Sequence, residues 1–247
     1  MKFSSPSAWR RLSLLGVAGS SLVLAFACWS PVHSKLNCLL FLAAIGILWA
    51  SILVLIRKRA RLRWPERIWM ALPILAALPL LLPARAPNRE ALRGRSLAAI
   101  ATYAGSPYRW GGEARNGIDC SGLPRKAYRR ALRAEGLRTL DGGLLRRAAE
   151  HWFFDASALA LSQGYRDFTV ELPIPAATIK AVDFTRLLPG DLAITTSGVH
   201  ALVYVGEGQW TQADPGEGQV HTLVGREEEN HYFHVPCRFF RWSELAE

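Results

Sequence analysis

The 247-residue sequence is poor in sulfur, with four cysteines and two methionines. Cysteines at 28, 38, 120 and 237 are too few for a disulfide scaffold and lack the paired spacing of a zinc site. Internal repeats and low-complexity tracts are absent. Acidic residues are nearly missing from positions 1–95, which hold 2 Asp+Glu against 14 Lys+Arg, a net +12. Positions 96–247 hold 18 Asp+Glu and 16 Lys+Arg, a net −2, so the overall +10 belongs to the N-terminal third. The C-terminal part has no basic excess with which to neutralise phosphates, and no nucleic-acid partner is expected. It also lacks long charge-free runs. These are confined to the first third, which excludes a disordered chain and predicts that the chain is not soluble throughout.

Three runs stand out there: Leu12 to Trp29, Leu36 to Ile56 and Ile68 to Ala84. The second has 21 residues without a charge, about 30 Å as a helix, which matches a bilayer's hydrocarbon core. The third contains Pro73, Pro79 and Pro83, which membrane helices tolerate. Lys2, Arg10 and Arg11 precede the first run. Arg57, Lys58, Arg59, Arg61, Arg63 and Arg67 crowd the link between the second and third. Lys and Arg collect in cytoplasmic loops, so the chain is expected to exit the cytoplasm after the third run. The predicted organisation is an all-α transmembrane region over 1–84, with spans at about 12–30, 36–56 and 68–84. A juxtamembrane linker at 85–96 and a globular domain at 97–247 follow. A lipid bilayer is the expected partner of the first region. The alternatives are two spans, or a signal peptide in place of the first.

From Ser96 the pattern is that of an α+β domain. Helices are predicted at 96–103 and 123–134, the second from the stripe Leu123, Ala127, Tyr128, Ala131 and Leu132. Another is predicted at 144–152. Strands are predicted at 192–195, 200–205, 209–213, 220–224 and 234–242, separated by tight turns, as an antiparallel meander. The stretch 137–186 reads as an insertion. Its Trp152, Phe153, Phe154, Tyr165 and Phe168 are expected either to border a cleft or to pack in the core.

Chemistry centres on Cys120, in the string Gly117-Ile118-Asp119-Cys120-Ser121-Gly122 at the end of a turn-rich loop and the start of a helix. A helix N-terminus carries positive potential, which favours a thiolate, and its free N–H groups can hold an oxyanion. A thiol nucleophile needs a base. His200 opens a strand, which would hold its imidazole rigidly. The base needs an orienting partner; Gln212 lies on the next strand, with Asp214 and His221 as rivals.

Four blocks then carry a resemblance: Tyr108-Arg109-Trp110-Gly111-Gly112, Asp119-Cys120-Ser121-Gly122, Leu188-Pro189-Gly190-Asp191-Leu192 and Val199-His200-Ala201-Leu202-Val203-Tyr204-Val205-Gly206. In this order they resemble the NlpC/P60 family of papain-like cysteine peptidases of bacterial cell walls, over about 97–242. The resemblance implies helices packed on an antiparallel sheet, Cys120 as nucleophile and His200 as base. The family's third residue is usually His, and its counterpart here is Gln212. Tyr108, Asp119 and Ser121 fall where relatives hold substrate or oxyanion; Asp119 also reads as a helix cap. The implied substrate is a peptidoglycan stem peptide, cut between γ-D-glutamyl and a diamino acid. The implied setting is the outer face of a bacterial cytoplasmic membrane, and neither metal nor cofactor is called for. Competing readings are another thiol amidase or acyltransferase on the same fold, a non-catalytic wall-binding module, and a Cys120–Cys237 disulfide.

Overall fold

The computed structural model describes residues 6–59 and 63–246. Lys2 and Arg61, two of the charges that orient the chain, lie outside the described residues.

Two long apolar helices come first, α1 (Pro6–Trp29) and α2 (Lys35–Arg59), packed as a hairpin. Gly16 permits their close approach; a Cβ there would stand 2.4 Å from Ser51 Oγ. The buried hydroxyls of Ser13 and Ser20 donate to carbonyls one turn back, Trp9 O at 2.9 Å and Gly16 O at 2.6 Å. No polar group of theirs therefore needs water. Outward-facing Leu15, Leu22, Phe26 and Leu36 are all exposed. By length and composition, both helices could cross a membrane.

The third run departs from expectation. Helix α3 (Trp64–Ala77) has only 14 residues, about 21 Å, and gives way to a 3-10 turn at Leu78–Leu81. Pro79 has no N–H to continue the α ladder, which accounts for the change. Among the described residues two helices, not three, are long enough to span by themselves. Helix α3 packs back on α2, where Trp49 and Trp69 each donate an indole N–H to the other's carbonyl, at 3.1 and 3.0 Å.

The expected linker is largely helical. Helix α4 (Arg89–Ala101) starts at an Asn88 cap whose Oδ1 accepts from Ala91 N–H at 2.9 Å. Polar Arg89, Glu90, Arg93 and Arg95 hid this helix, but Leu92, Ser96, Ala99 and Ile100 share its buried face. The short ribbon β1 (Glu113–Ala114) and β2 (Gly117–Ile118) leads to α5 (Gly122–Thr139), α6 (Gly142–Phe153) and α7 (Ala158–Ser162). The strands are β3 (Thr169–Glu171), β4 (Leu192–Thr195), β5 (Ala201–Gly206), β6 (Gln209–Asp214), β7 (Gln219–Val224) and β8 (Cys237–Trp242). They form one antiparallel sheet in the order β3-β8-β4-β5-β6-β7. The expected meander is β4 to β7, and β8 returns to the far side of β4.

The sheet is covered on both faces. Leu192, Ile194, Ala201, Val203 and Trp242 pack under α4, α5 and α6. Ala193, Leu202, Tyr204 and Phe239 face Ile179, Val182, Leu187 and Phe233. The stretch 137–186 is thus divided between the two layers. Its aromatics do not border Cys120: Phe168 is in the core, Trp152 meets Phe41 of α2 at 5.9 Å, and Phe154 sits under Lys35 and Arg166. Burial against the helical hairpin and the sheet outcompetes exposure in a cleft.

The hairpin's tip is docked on this domain. His33 N–H donates to Gly111 O, and Glu113 N–H to Pro31 O, each at 2.8 Å. Asn116 Nδ2 reaches Trp29 O at 3.0 Å, and His33 Nε2 donates to Trp152 O at 2.6 Å. The chain returning after α3 also meets the domain, where Arg146 donates to Leu80 O and Leu82 O at 2.6 and 3.0 Å.

Candidate active site

Cys120 lies two residues before α5, on a loop whose shape depends on two glycines. A Cβ on Gly112 would stand 2.4 Å from Gly117 O, and one on Gly122 would stand 2.3 Å from Gly112 O. Asp119 ties the loop to the helix. Its Oδ1 accepts from Ser121 N–H at 3.0 Å and Gly122 N–H at 2.5 Å, and its Oδ2 from Gly111 N–H at 2.8 Å. The Ser121 hydroxyl also donates to Asp119 Oδ1, at 3.0 Å. Pro124 falls within the first turn of α5, where a missing N–H leaves no bond unmade.

The thiol abuts the start of β5. Cys120 Sγ lies 3.8 Å from Val199 O, the residue before His200. Of the insertion, Leu159 packs against Gly198 in this turn. Thr195 Oγ1 accepts from the N–H groups of Val199 and His200, at 3.2 and 3.1 Å, which fixes where the strand begins.

His200 is 1% exposed and its Nε2 lies 2.7 Å from Gln212 Oε1. Gln212 Nε2 is 3.2 Å from both Asp214 Oδ2 and His221 Nε2. A carboxylate can only accept, so the amide presents its NH2 to Asp214 and its oxygen to the imidazole. That oxygen in turn can only accept. The neutral ring therefore carries its proton on Nε2 and leaves the Nδ1 lone pair for a proton in transit. The three rival orienting residues form one network, with Gln212 touching the imidazole and Asp214 and His221 behind it. Asp214 is held below the usual carboxylate range, against the effect of burial, by bonds from Asn230 and the N–H groups of Gly216 and Glu217.

Sequence reasoning missed Tyr232, whose ring stacks on the His200 imidazole with centroids 3.6 Å apart and planes 8° apart. Asn230 holds it there: its Nδ2 donates to Asp214 Oδ2 at 2.8 Å, and its Oδ1 accepts from Tyr232 N–H at 3.0 Å. Aromatic density at 231–233 was the only signal, and it does not say what such a ring covers.

The electrostatics overturn the expectation of a resting thiolate. Burial, then the Asp119 carboxylate, pushes the Cys120 thiol up to about 12. Burial pushes the His200 imidazole down to about 4, against the Gln212 bond and the Asp214 charge. The backbone N–H groups of Ala201, Ser121 and Cys120 lower the thiol's pKa, but they do not offset burial and the Asp119 charge. The resting pair at neutral pH is a thiol and a neutral imidazole. Tyr108 borders the same charges. Burial, then Cys120 and Asp119, pushes its hydroxyl up to about 12, so it stays a donor. All four cysteines are free, so the Cys120–Cys237 disulfide does not form.

Thiol at a helix start, imidazole on the facing strand and amide on the next make a papain-like arrangement. The model of the NlpC/P60 family matches residues 105–140, the stretch that carries Tyr108, Asp119 and Cys120. Over that segment the C-terminal domain is similar to the NlpC/P60 family. Among solved structures, the chain is similar to NlpC1 from Trichomonas vaginalis at 19% identity and TM-score 0.40, covering 61% of this chain and 44% of that one. It is similar to the peptidoglycan hydrolase RipB from Mycobacterium tuberculosis at 19% identity and TM-score 0.39, covering 67% and 76%. The NlpC/P60 domain of the peptidoglycan hydrolase SagA is similar at 20% identity and TM-score 0.36, covering 60% and 97%. The chain thus spans less than half the length of the two Trichomonas vaginalis proteins it resembles. No curated protein matches it.

Proposed function

We propose that this chain is a membrane-anchored cysteine hydrolase of peptidoglycan stem peptides, cutting between γ-D-glutamyl and a diamino acid. The observation that carries this reading is the Cys120 thiol beside the strand start that bears His200, whose Nε2–H is held by Gln212. Cys120 Sγ attacks the amide carbon while its proton passes to His200 Nδ1. The imidazolium formed is oriented by Gln212, with the Asp214 charge behind it. The oxyanion is held by the Cys120 N–H and the Tyr108 hydroxyl. His200 then protonates the leaving amine, and water hydrolyses the thioester with His200 again as base. Because the pair rests neutral, the ion pair exists only while substrate is engaged. Asp119 acts by fixing the loop, and Ser121 by completing that fixation.

The domain's docking supports an outer-face location. The α1–α2 tip touches the domain, while Arg57 lies at the opposite end of α2, with Arg63 and Arg67 beyond it. With that basic link inside, the domain is outside. The return is made by α3 and the 3-10 turn, together roughly 29 Å if laid end to end.

The test is digestion of purified muropeptides by the full chain in detergent, with mass spectrometry of the products. A new amine on the diamino acid is expected. Cleavage at lactyl-alanine instead would assign an amidase, and intact muropeptides would refute hydrolysis.

A further inference from the structure

Helix α5 has two unlike faces. Ala127, Tyr128, Ala131 and Leu132 enter the core. Lys126, Arg129, Arg130, Arg133 and Leu137, at helical spacing, line the other side. Glu113 accepts from Arg129 there, at 2.6 Å. Among the described residues, no carboxylate forms an ion pair with Lys126, Arg130 or Arg133; Arg130 only donates to Thr102 Oγ1, at 3.2 Å. Burial, then the Arg129 charge, lowers the Lys126 pKa; the Glu113 charge opposes this, and Arg133 and Arg130 add to it. Three cations crowd together with no direct ion-pair partner of their own among the described residues.

The wall opposite them is apolar and belongs to the membrane helices. Phe41 and Leu42 of α2 and Leu80 of the 3-10 turn close a cavity of about 850 Å³. A soluble anion would leave that wall uncovered, and a neutral amphiphile would leave the cations unmatched. Cationic side chains above an apolar wall at the root of membrane helices match the headgroup level of a bilayer. We propose that this cavity holds an anionic phospholipid, with its phosphate on Lys126, Arg130 and Arg133 and an acyl chain against Phe41, Leu42 and Leu80. The lipid fastens the catalytic domain to the leaflet on which it sits. The proposal rests on the membrane reading of α1 to α3 and not on the hydrolase reading.

The test reconstitutes the full chain into nanodiscs of phosphatidylcholine, with or without phosphatidylglycerol, and reads Tm. Phosphatidylglycerol is expected to raise Tm by about 4 °C. The double variant R130A/R133A abolishes the rise, R130K/R133K keeps most of it, and R115A, an exposed arginine elsewhere, keeps all of it. Both arginines of the pair are exposed, so folding tolerates their loss. Absence of a lipid effect, or a full rise in R130A/R133A, would overturn the proposal. An equal rise from inorganic phosphate in phosphatidylcholine discs would overturn it in favour of a soluble anion. Carbonate extraction of cell membranes separates the two failures. Retention without a phosphatidylglycerol effect sinks the lipid site alone, whereas release sinks the membrane reading with it.

Discussion

The two regions of this protein bury opposite things. In α1 and α2 the exposed side chains are mostly large and apolar, Leu15, Leu22, Phe26 and Ile47 among them, while Ser13 and Ser20 point inward and bond their own helix. In the C-terminal domain most aliphatic and aromatic residues are inside, and the buried carboxylates and guanidiniums have partners, while the buried His151 ring, which has none, is kept neutral by burial. On the proposed membrane reading, each region is built for a different solvent. It also explains where chemistry can reside: the C-terminal domain can hold ionisable groups in a dry interior because it supplies their partners.

The buried cluster under the site tests that most severely. Glu113 receives Arg125 at 3.0 Å and Arg129 at 2.6 Å, and Arg125 also meets Asp155. These guanidiniums hold the Glu113 carboxyl below its usual range despite burial. Glu113→Gln leaves two buried cations short of a counter-charge, and should destabilise the domain by about 4 kcal/mol, read as a lower Tm. An unchanged Tm would mean the domain interior is wetter than described.

A charge on the other region should act through insertion instead. Leu22→Arg, on the exposed face of α1, should cost about 3 kcal/mol of membrane insertion, read as carbonate-extractable protein. Leu140→Arg, also exposed but on the domain surface, should leave extraction unchanged. Equal behaviour of the two would erase the distinction between the regions.

The strand order and the site chemistry were unevenly legible. Alternating β-branched residues and Gly-containing turns marked β4 to β7 to within a residue or two, because each is a short run between sharp turns. Cys120 and His200 were legible as a thiol at a helix start and an imidazole at a strand start. Hairpin geometry brought Gln212 beside His200, and the structure adds that Asp214 and His221 stand behind it. Three things were not legible. Asn88 and the buried face of α4 were masked by arginines, so a helix read as a linker. Pro79 shortened the third apolar run, which composition could not measure. The protonation of the pair depended first on how deeply both groups are buried, which local sequence does not report, and only then on the Asp119 charge.

That last point has a kinetic signature. With the thiol pushed up to about 12 and the imidazole down to about 4, alkylation of Cys120 by iodoacetamide should rise about tenfold per pH unit from 6 to 9. A plateau across that range would mean a preformed thiolate–imidazolium pair. Linkage gives the same sign for stability. The unfolded imidazole takes a proton near 6.5 and the folded one only near 4, so His200 contributes stability above 6.5 that is lost as pH falls towards 4. The His200→Gln variant should lose less stability over that window than the parent.

A smaller effect should come from the ring over the imidazole. Tyr232→Ala should lower kcat/KM about tenfold by freeing His200 to tilt, while Tyr232→Phe, which keeps the stacked face, restores it. If Phe fails to rescue, the hydroxyl rather than the stacking carries the role.

The central claim is that one sulfur does the work. Its most direct test compares the full chain with Cys120→Ala on the same muropeptides at neutral pH. The expected result is cleavage by the parent and a loss of about 10⁴-fold or more in the variant, with an unchanged Tm. Equal cleavage by both proteins would contradict the account.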